Sequence, residues 1–492
     1  MISKKHGKKS IQKEKIDLTI PQIRWREIAP NKILLTNDIG KWMILEDTEF
    51  NRYLTNNLSE NSQLYRVLME KQFIRTKLNF DEIYSTYQKL NSYLFTGPHL
   101  HIIVLTLRCN QRCVYCQSQA IDENNKSTDM NFNTAKKAID LAFETTSPNI
   151  TIEFQGGEPL LNWDVLKKSV EYARKKEKES NKKLFLAVVS NLSLMDETKA
   201  NFLIKNEISI CTSLDGPEKI HNKNRIYLNG NSYKTTIKWL KYFNEKSKKG
   251  TIKIDGNNYK IFKPSALLTV TRESLKYPYE IIDEYIKNEI ETIFIRPLAP
   301  IGFAKKIWDK IGYGADEFIN FYKKSLDYII LKNKRGVKIK EKTAEMLLRK
   351  IINHEDPGFV DLRCPCGGGI GQIAYNYDGN IYTCDEGRML AEEGDDLFLI
   401  GNVENISYRD IFSSDAVKGC AISSNLETQP TCFRCAYRPY CGVCPVINYE
   451  EEKSPQGNNI LSRRCKIYMG IFDIIFRKLD TQKKDLLNII EG

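Results

Sequence analysis

The sequence predicts an α/β protein with a parallel sheet and helical crossovers at its centre, a small N-terminal unit before it and a cysteine-rich segment after it. Three observations predict this. Between about residues 99 and 300, short apolar runs alternate six times with stretches of helical periodicity. Directly after the first run, His101-Ile102-Ile103-Val104-Leu105-Thr106-Leu107, three cysteines follow at C-x3-C-x2-C spacing: Cys109, Cys113 and Cys116. Nine of the thirteen cysteines lie in the C-terminal third.

A chain of 492 residues predicts two or three domains, and 41% apolar residues are enough for real cores. With 74 basic and 62 acidic residues the net charge is +12, in a composition rich in Lys, Asn and Ile, which is weak evidence for nucleic acid. The most concentrated basic run, Lys4-Lys5, Lys8-Lys9, Lys13 and Lys15, lies in a polar tail over residues 1–20 without an apolar h-region; it reads as solvated and disordered, not as a signal peptide. No apolar run reaches transmembrane length, so the expectation is a soluble, cytoplasmic protein and a monomer. In that setting the thirteen cysteines point to metal ligation rather than disulfides. His6, His99, His101, His221 and His354 are scattered without a metal-spaced pair, which argues against His-based metal catalysis.

In chain order, residues 21–97 read as a compact unit. Ile33-Leu34-Leu35-Thr36 and Trp42-Met43-Ile44-Leu45 flank a turn at Asn37-Asp38-Ile39-Gly40. Two helical stretches follow, with Phe50, Tyr53 and Leu54 on one face of the first and Leu64, Val67 and Leu68 on one face of the second. Residues 98–310 form the α/β core. Its strands are expected at 101–107, 150–155, 184–190, 208–213, 265–270 and 291–296, and its helices at 132–146, 162–178, 196–206, 232–247, 274–288 and 316–332. An extra hairpin is expected at 251–263 around Asp255-Gly256. Residues 311–360 read as a helical bridge, 361–470 as the cysteine-rich domain and 471–492 as a C-terminal helix.

In parallel α/β barrels the C-terminal strand ends build the active site, and here each carries polar groups. Strand two runs into Phe154-Gln155-Gly156-Gly157-Glu158-Pro159, where two glycines allow close backbone approach to a ligand and Glu158 offers a carboxylate. Strand three ends in Ser190-Asn191, strand four in Ser213-Leu214-Asp215-Gly216-Pro217, and strand six in Arg296-Pro297. Three thiolates on one short loop can hold three irons of a [4Fe-4S] cube and leave the fourth iron without a protein ligand. A structural zinc loop and buried free thiols are the plain alternatives, although zinc sites usually draw four ligands and no fourth lies nearby.

The C-x3-C-x2-C loop resembles that of the radical S-adenosylmethionine (SAM) enzymes. The resemblance implies a partial (β/α)6 TIM-type barrel, SAM chelating the open iron, and its reductive cleavage to a 5'-deoxyadenosyl radical. It places Tyr115 beside the adenine and the carbonyls around Gln155, Gly156, Gly157 and Glu158 at the SAM amino group. Ser190 and Asn191 fall where that family contacts the ribose or carboxylate, Ser213 is expected among the SAM-binding residues, and the Arg296 guanidinium could pair with the SAM carboxylate.

The C-terminal cysteines resemble the SPASM extension of radical SAM peptide and protein maturases, with Gly379 and Cys384 after Cys366 and then Cys432-x2-Cys435-x5-Cys441-x2-Cys444 and Cys465. By that resemblance Cys364, Cys366, Cys384 and Cys444 hold one auxiliary [4Fe-4S] cluster, and Cys432, Cys435, Cys441 and Cys465 the other, three clusters in all. Cys444 follows Cys441 by two residues where the family has three, and Cys364 is unusually close to Cys366. Cys211 reads as a small core residue, Cys420 as a possible replacement for a mis-assigned ligand, and two zinc knuckles as the structural alternative. Asp385, directly after Cys384, matches the proton-accepting aspartate of the anaerobic sulfatase-maturing enzymes; a local ion pair with Arg388 is the competing role.

Overall the chain resembles the His-Xaa-Ser system radical SAM maturases, HxsB-type, through Leu105-Thr106-Leu107-Arg108-Cys109-Asn110, Glu153 to Asn162, Tyr375-Asn376-Tyr377-Asp378-Gly379 and Asp385 to Glu392. The resemblance implies a ribosomally made precursor peptide, its leader bound by a winged-helix-like N-terminal domain, its side chains oxidatively cross-linked, and a flavodoxin or ferredoxin as electron donor. Formylglycine-type oxidation of a Cys or Ser in a protein partner is the alternative reaction. A non-catalytic zinc- or iron-sulfur-stabilised peptide- or nucleic-acid-binding protein is the alternative of another class.

Overall fold

The computed structural model describes residues 20–491, and the basic N-terminal run lies outside them. The first unit is a three-stranded antiparallel sheet, Arg24–Ala29, Lys32–Thr36 and Trp42–Glu46, followed by helices Asp47–Leu54, Gln63–Glu70 and Phe80–Leu90. The predicted pair of strands forms the expected hairpin, and Gly40 at its turn takes a φ of 74°. The strand Arg24–Ala29 is an addition. Its alternating Arg, Trp and Glu residues read as surface, yet Arg24 is buried while Trp25 is exposed. A local core of Ile33, Leu35, Leu45, Phe50, Tyr53, Leu68 and Phe73 closes the unit.

This unit is seated on the cysteine-rich segment. Thr36 Oγ1 donates to the Ala436 carbonyl (2.9 Å), Tyr440 Oη to the Gly40 carbonyl (2.9 Å) and Arg24 Nε to the Phe433 carbonyl (2.8 Å). Arg26 forms a bidentate pair with Asp473, both contacts at 3.0 Å.

The core strands are β1 (Leu100–Val104), β2 (Asn149–Gln155), β3 (Lys183–Val189), β4 (Ile208–Ser213), β5 (Ser265–Thr269) and β6 (Thr292–Arg296), parallel and side by side in that order. Crossovers run through helices Phe132–Phe143, Trp163–Lys178, Glu197–Lys205, Ser232–Ser247 and Pro278–Lys287, and Ala315–Lys334 follows β6. The six predicted strands and helices all appear, with ends shifted by a few residues. The hairpin Thr251–Ile254 with Asn257–Lys260 turns on Asp255 and Gly256, both at positive φ, as a two-residue hairpin loop requires.

The parallel sheet alternates. In β2, Ile150, Ile152 and Phe154 are fully buried against the helices, whereas Thr151, Glu153 and Gln155 face the other way and are only half-buried. Ser209, Cys211 and Ser213 repeat this in β4, and Phe294 and Arg296 in β6. The inner, concave face therefore carries Glu153, Gln155, Ser209, Ser213 and Arg296 among apolar residues such as Val189, Leu267 and Phe294. Cys211 belongs to that face, within electrostatic reach of Glu153 and Arg296, which corrects its reading as a core residue.

The sheet extends beyond the expected barrel. Gln372–Tyr375, from the cysteine-rich segment, pairs parallel with β1, and Asn380–Tyr382 and Leu399–Asn402 continue it antiparallel. Lys340–Glu341 adds to β6 at the other edge, giving ten strands in one sheet. The C-terminal helices Arg463–Thr481 and Lys483–Glu491 pack against Ala315–Lys334. Among the described residues no helix is long and apolar enough to cross a membrane.

Candidate active site

The cysteine loop is braced on every side. As the chain leaves β1, Leu105 N donates to the Gln155 carbonyl (2.9 Å), and Gly157 N and Glu158 N donate back to the Thr106 and Arg108 carbonyls (2.8 and 2.7 Å). The buried Arg108 guanidinium grips Asp129 at 2.7 Å through two nitrogens and also reaches the Leu161 carbonyl. Within the loop, Arg112–Cys113 pairs antiparallel with Arg225–Ile226, Val114 N donates to the Asn224 carbonyl (2.8 Å), and Phe303 N donates to the Cys116 carbonyl (2.9 Å). Such bracing fixes three thiols before any cofactor arrives.

Those thiols fit a metal cluster by their chemistry. Cys109 is buried, Cys113 and Cys116 are half-buried, and all three are free. Burial pushes the Cys113 thiol up to about 11, partly offset by Arg225, and raises Cys109 further, with Cys113 and Glu158 adding to it. Burial thus favours the neutral Cys109 and Cys113 thiols, and a cationic iron cluster core would supply the charge that makes them thiolates. Gln111 N points at the Cys109 sulfur (3.4 Å), the kind of N–H contact that tunes cluster thiolates. Among the described residues, no three His, Cys, Asp or Glu side chains converge on a single-ion site.

The two glycines after β2 serve the chain itself. A Cβ on Gly156 falls 2.2 Å from the Thr106 carbonyl oxygen, and one on Gly157 falls 2.3 Å from that of Arg108. The close backbone approach expected toward a ligand is thus toward the cysteine loop. Gly156→Ala or Gly157→Ala should push backbone against backbone and destabilise the fold by about 3 kcal/mol. A denaturation midpoint equal to the parent's would refute this.

Glu158 joins three strand ends. Its fully buried carboxylate accepts from Ser190 Oγ (2.8 Å), Asn191 N (2.7 Å) and Leu160 N (3.0 Å). Asn191 Nδ2 donates to Asn110 Oδ1 (3.0 Å) and lies 3.8 Å from the Cys109 sulfur. The expected cofactor residues Glu158, Ser190 and Asn191 are therefore bonded to one another and to the cysteine loop. Tyr115 is likewise engaged, donating to Asp215 Oδ2 (2.6 Å) with the Arg225 guanidinium 5.5 Å from its ring centre. Gln155 donates to Glu153 (2.5 Å), and Ser213 and Arg296 stand on the concave face.

Beside the loop lies a cavity walled by Gln117, Thr269, Arg296, Asp361, Glu386, Cys444, Arg463 and Arg464. Asp385, the expected proton acceptor, is buried in an ion pair with Arg388 Nε (2.8 Å), whose Nη2 donates to Ser118 Oγ (3.1 Å). Asp385 thus reaches the cysteine loop through Arg388. The next residue, Glu386, faces the cavity instead, and burial with Asp361 and Asp385 nearby pushes its carboxyl up to about 7.

Behind the cavity the remaining cysteines fall into two neighbourhoods. Cys432, Cys435, Cys441 and Cys465 line one apolar pocket, where burial pushes Cys432 up to about 11 and Cys465 to about 12. Cys366, Cys384 and Cys444 lie within reach of one another. Cys364, expected with them, is turned elsewhere: its sulfur accepts the Leu426 N–H (3.2 Å) in a pocket with Tyr93, Lys350 and Arg438. A position two residues from Cys366 signals adjacency in sequence but not the direction of the side chain.

Residues 103–260 match the radical SAM superfamily. The cysteine-type anaerobic sulfatase-maturating enzyme of Clostridium novyi is 25% identical over 388 residues, 77% of this chain and 95% of its own length. The radical SAM cyclopropyl synthase TigE of Paramaledivibacter caminithermalis is 24% identical over 312 residues, 58% of this chain and 61% of its own. Among solved structures, native anSMEcpe with bound AdoMet and Kp18Cys peptide aligns with a TM-score of 0.64 at 20% identity, covering 80% of this chain and 99% of that one. SuiB of Streptococcus suis bound to precursor peptide SuiA aligns with a TM-score of 0.53 at 17% identity, covering 89% and 98%. The α/β core of this chain has the radical SAM fold, and the chain is similar to sulfatase- and peptide-modifying enzymes of that superfamily.

Proposed function

We propose that this protein is a SPASM-type radical SAM maturase that modifies a ribosomally made precursor peptide by oxidative cross-linking of its side chains, in the manner of the HxsB-type enzymes. The observation that carries this reading is the braced three-cysteine loop opening, across Gln117 and Arg296, onto a cavity whose far wall is the cysteine-rich segment. Holding a [4Fe-4S] cluster and SAM, the loop supplies a 5'-deoxyadenosyl radical for hydrogen abstraction. The chain's own part is positioning: Arg296 offers a guanidinium to a carboxylate, and the cavity carboxylates of Asp361 and Glu386 stand where a substrate proton is lost. Cys432, Cys435, Cys441 and Cys465 in one neighbourhood, and Cys366, Cys384 and Cys444 in the other, would hold two further clusters, whose chemistry when bound would be electron acceptance.

The N-terminal unit fits leader binding by strand addition to its three-stranded sheet. A flavodoxin or ferredoxin is the electron donor in this reading. Relatives in complex with peptides, anSMEcpe with Kp18Cys and SuiB with SuiA, support a peptide substrate. The test is anaerobic incubation with SAM and reductant, reading 5'-deoxyadenosine by mass spectrometry with and without a precursor peptide encoded beside the gene. Peptide-stimulated cleavage with a product two hydrogens lighter is expected; cleavage that no peptide stimulates would reject the substrate class.

One observation favours a second reaction. The sulfatase-maturating relative aligns over 77% of this chain, which supports formylglycine-type oxidation of a Cys or Ser. An aldehyde detected in the product by hydrazide capture distinguishes it from a cross-link.

A further inference from the structure

The first auxiliary site lacks a fourth thiolate once Cys364 is turned away, and a cysteine from outside the expected set stands in the gap. Cys420 lies on the helix Asp415–Ser423 and is 2% exposed. A Cβ added to Gly368 would lie 3.3 Å from the Cys420 sulfur and 3.8 Å from that of Cys366. Both sulfurs therefore sit beside one glycine, within contact distance of its Cβ position.

Ser424 ties the two elements together. Fully buried, its Oγ accepts the Cys366 N–H (2.8 Å) and donates to the Cys420 carbonyl (2.7 Å). Backbone donors already face two other members, Gly368 N toward the Cys366 sulfur (3.5 Å) and Gly387 N toward the Cys384 sulfur (3.3 Å). The carbonyl oxygen of Thr383, the residue before Cys384, lies 3.6 Å from the same Gly368 Cβ position, and Cys384 and Cys444 share one apolar cluster. Cys364, by contrast, lines a separate pocket with Tyr93, Lys350 and Arg438.

We propose that Cys420, with Cys366, Cys384 and Cys444, forms the four-thiolate site of the first auxiliary [4Fe-4S] cluster, and that Cys364 is not a ligand. This rests on the reading above that the cysteine-rich segment carries iron-sulfur clusters. Each thiol gives up its proton as it bonds to iron.

The experiment uses the full chain with Cys109, Cys113 and Cys116 replaced by alanine, so that all bound iron belongs to the auxiliary sites. Iron, acid-labile sulfide and electron paramagnetic resonance spectra are read after anaerobic reconstitution, alone and with Cys420→Ala, Cys420→Ser or Cys364→Ala added. The parent should hold about eight irons. Cys420→Ala should lose about four of them, or one iron with the appearance of a three-iron spectrum, and Cys420→Ser should shift the spectrum of one cluster. Cys364→Ala should keep the parent's iron and spectrum.

Loss of iron in Cys364→Ala together with an unchanged Cys420→Ala overturns the assignment, as does full retention with unchanged spectra in both Cys420 variants. Unfolding midpoints of the unloaded variants separate lost ligation from lost fold, and the serine variant decides the matter where the alanine variant does not fold. A parent that binds zinc, or no iron, overturns the cluster reading itself and this assignment with it.

Discussion

Replacing Cys109, Cys113 and Cys116 together with alanine should abolish reductive cleavage of SAM, by at least about a thousandfold, while the chain keeps about eight of about twelve irons. The size of the effect follows from the architecture. Among the described residues no other loop of the core carries three cysteines, and chemistry that depends on the bound group disappears with its ligands. The fold should tolerate the change, because the loop is held by its backbone. Its contacts to Ile121, Asn224, Phe303, Gly157 and Glu158 are main-chain hydrogen bonds that alanine leaves in place. A triple variant that unfolds with the parent's midpoint, binds about eight irons and forms no 5'-deoxyadenosine is the expected result. Residual cleavage within tenfold of the parent, or zinc in place of iron, would remove the radical reading.

Much of this architecture was legible in the sequence because its signals are local. Apolar runs separated by helical stripes announce βα units wherever the crossover is short, so the six strands appear in their expected order and place. The C-x3-C-x2-C spacing carries its chemistry in eight consecutive residues. What escaped depends on pairs that no local pattern encodes. Gln372–Tyr375 is an apolar tetrapeptide whose partner, β1, lies far back in the chain, so its parallel pairing that ties the cysteine-rich segment into the core sheet has no signature of its own. Arg24–Ala29 hides as a strand because one face carries Trp25 and Glu27 outward while Arg24 is buried between Asp38 and the Phe433 carbonyl.

The glycines after β2 show the same limit. A Gly-Gly pair states that something comes close, and only the fold reveals that it is the backbone of Thr106 to Arg108. Cys211 looked like core because it sits in an apolar strand. Its position in the alternation places it on the concave face. For the auxiliary cysteines, spacing groups the ligands of a compact motif such as Cys432 to Cys444, whereas a ligand on a separate helix is found only in space.

The distinction between Asp385 and Glu386 gives the second large effect. Asp385 is held by a guanidinium with no exposure of its own, and Arg388 in turn secures Ser118 at the end of the cysteine loop. Removing one partner of such a buried pair leaves an uncompensated charge and costs about 3 kcal/mol. Asp385→Ala should therefore lower the unfolding midpoint and loosen the loop, with SAM cleavage and product formation falling together.

Glu386 stands on the cavity wall beside Arg296 and Asp361, and its replacement leaves Arg388 paired. Glu386→Gln should keep the midpoint and the iron content, continue to form 5'-deoxyadenosine, and lose modified peptide by about a hundredfold, the usual contribution of a positioned base. The pH profile carries the sign. A base acts as the carboxylate, and burial among acidic neighbours holds Glu386 protonated up to about 7. Product formation should therefore rise as pH increases through 7 and level off above it, and the rise should vanish in Glu386→Gln. If Asp385→Asn instead eliminates product at an unchanged midpoint while Glu386→Gln is silent, the proton passes to Asp385, and Arg388 is its positioning partner rather than a structural one.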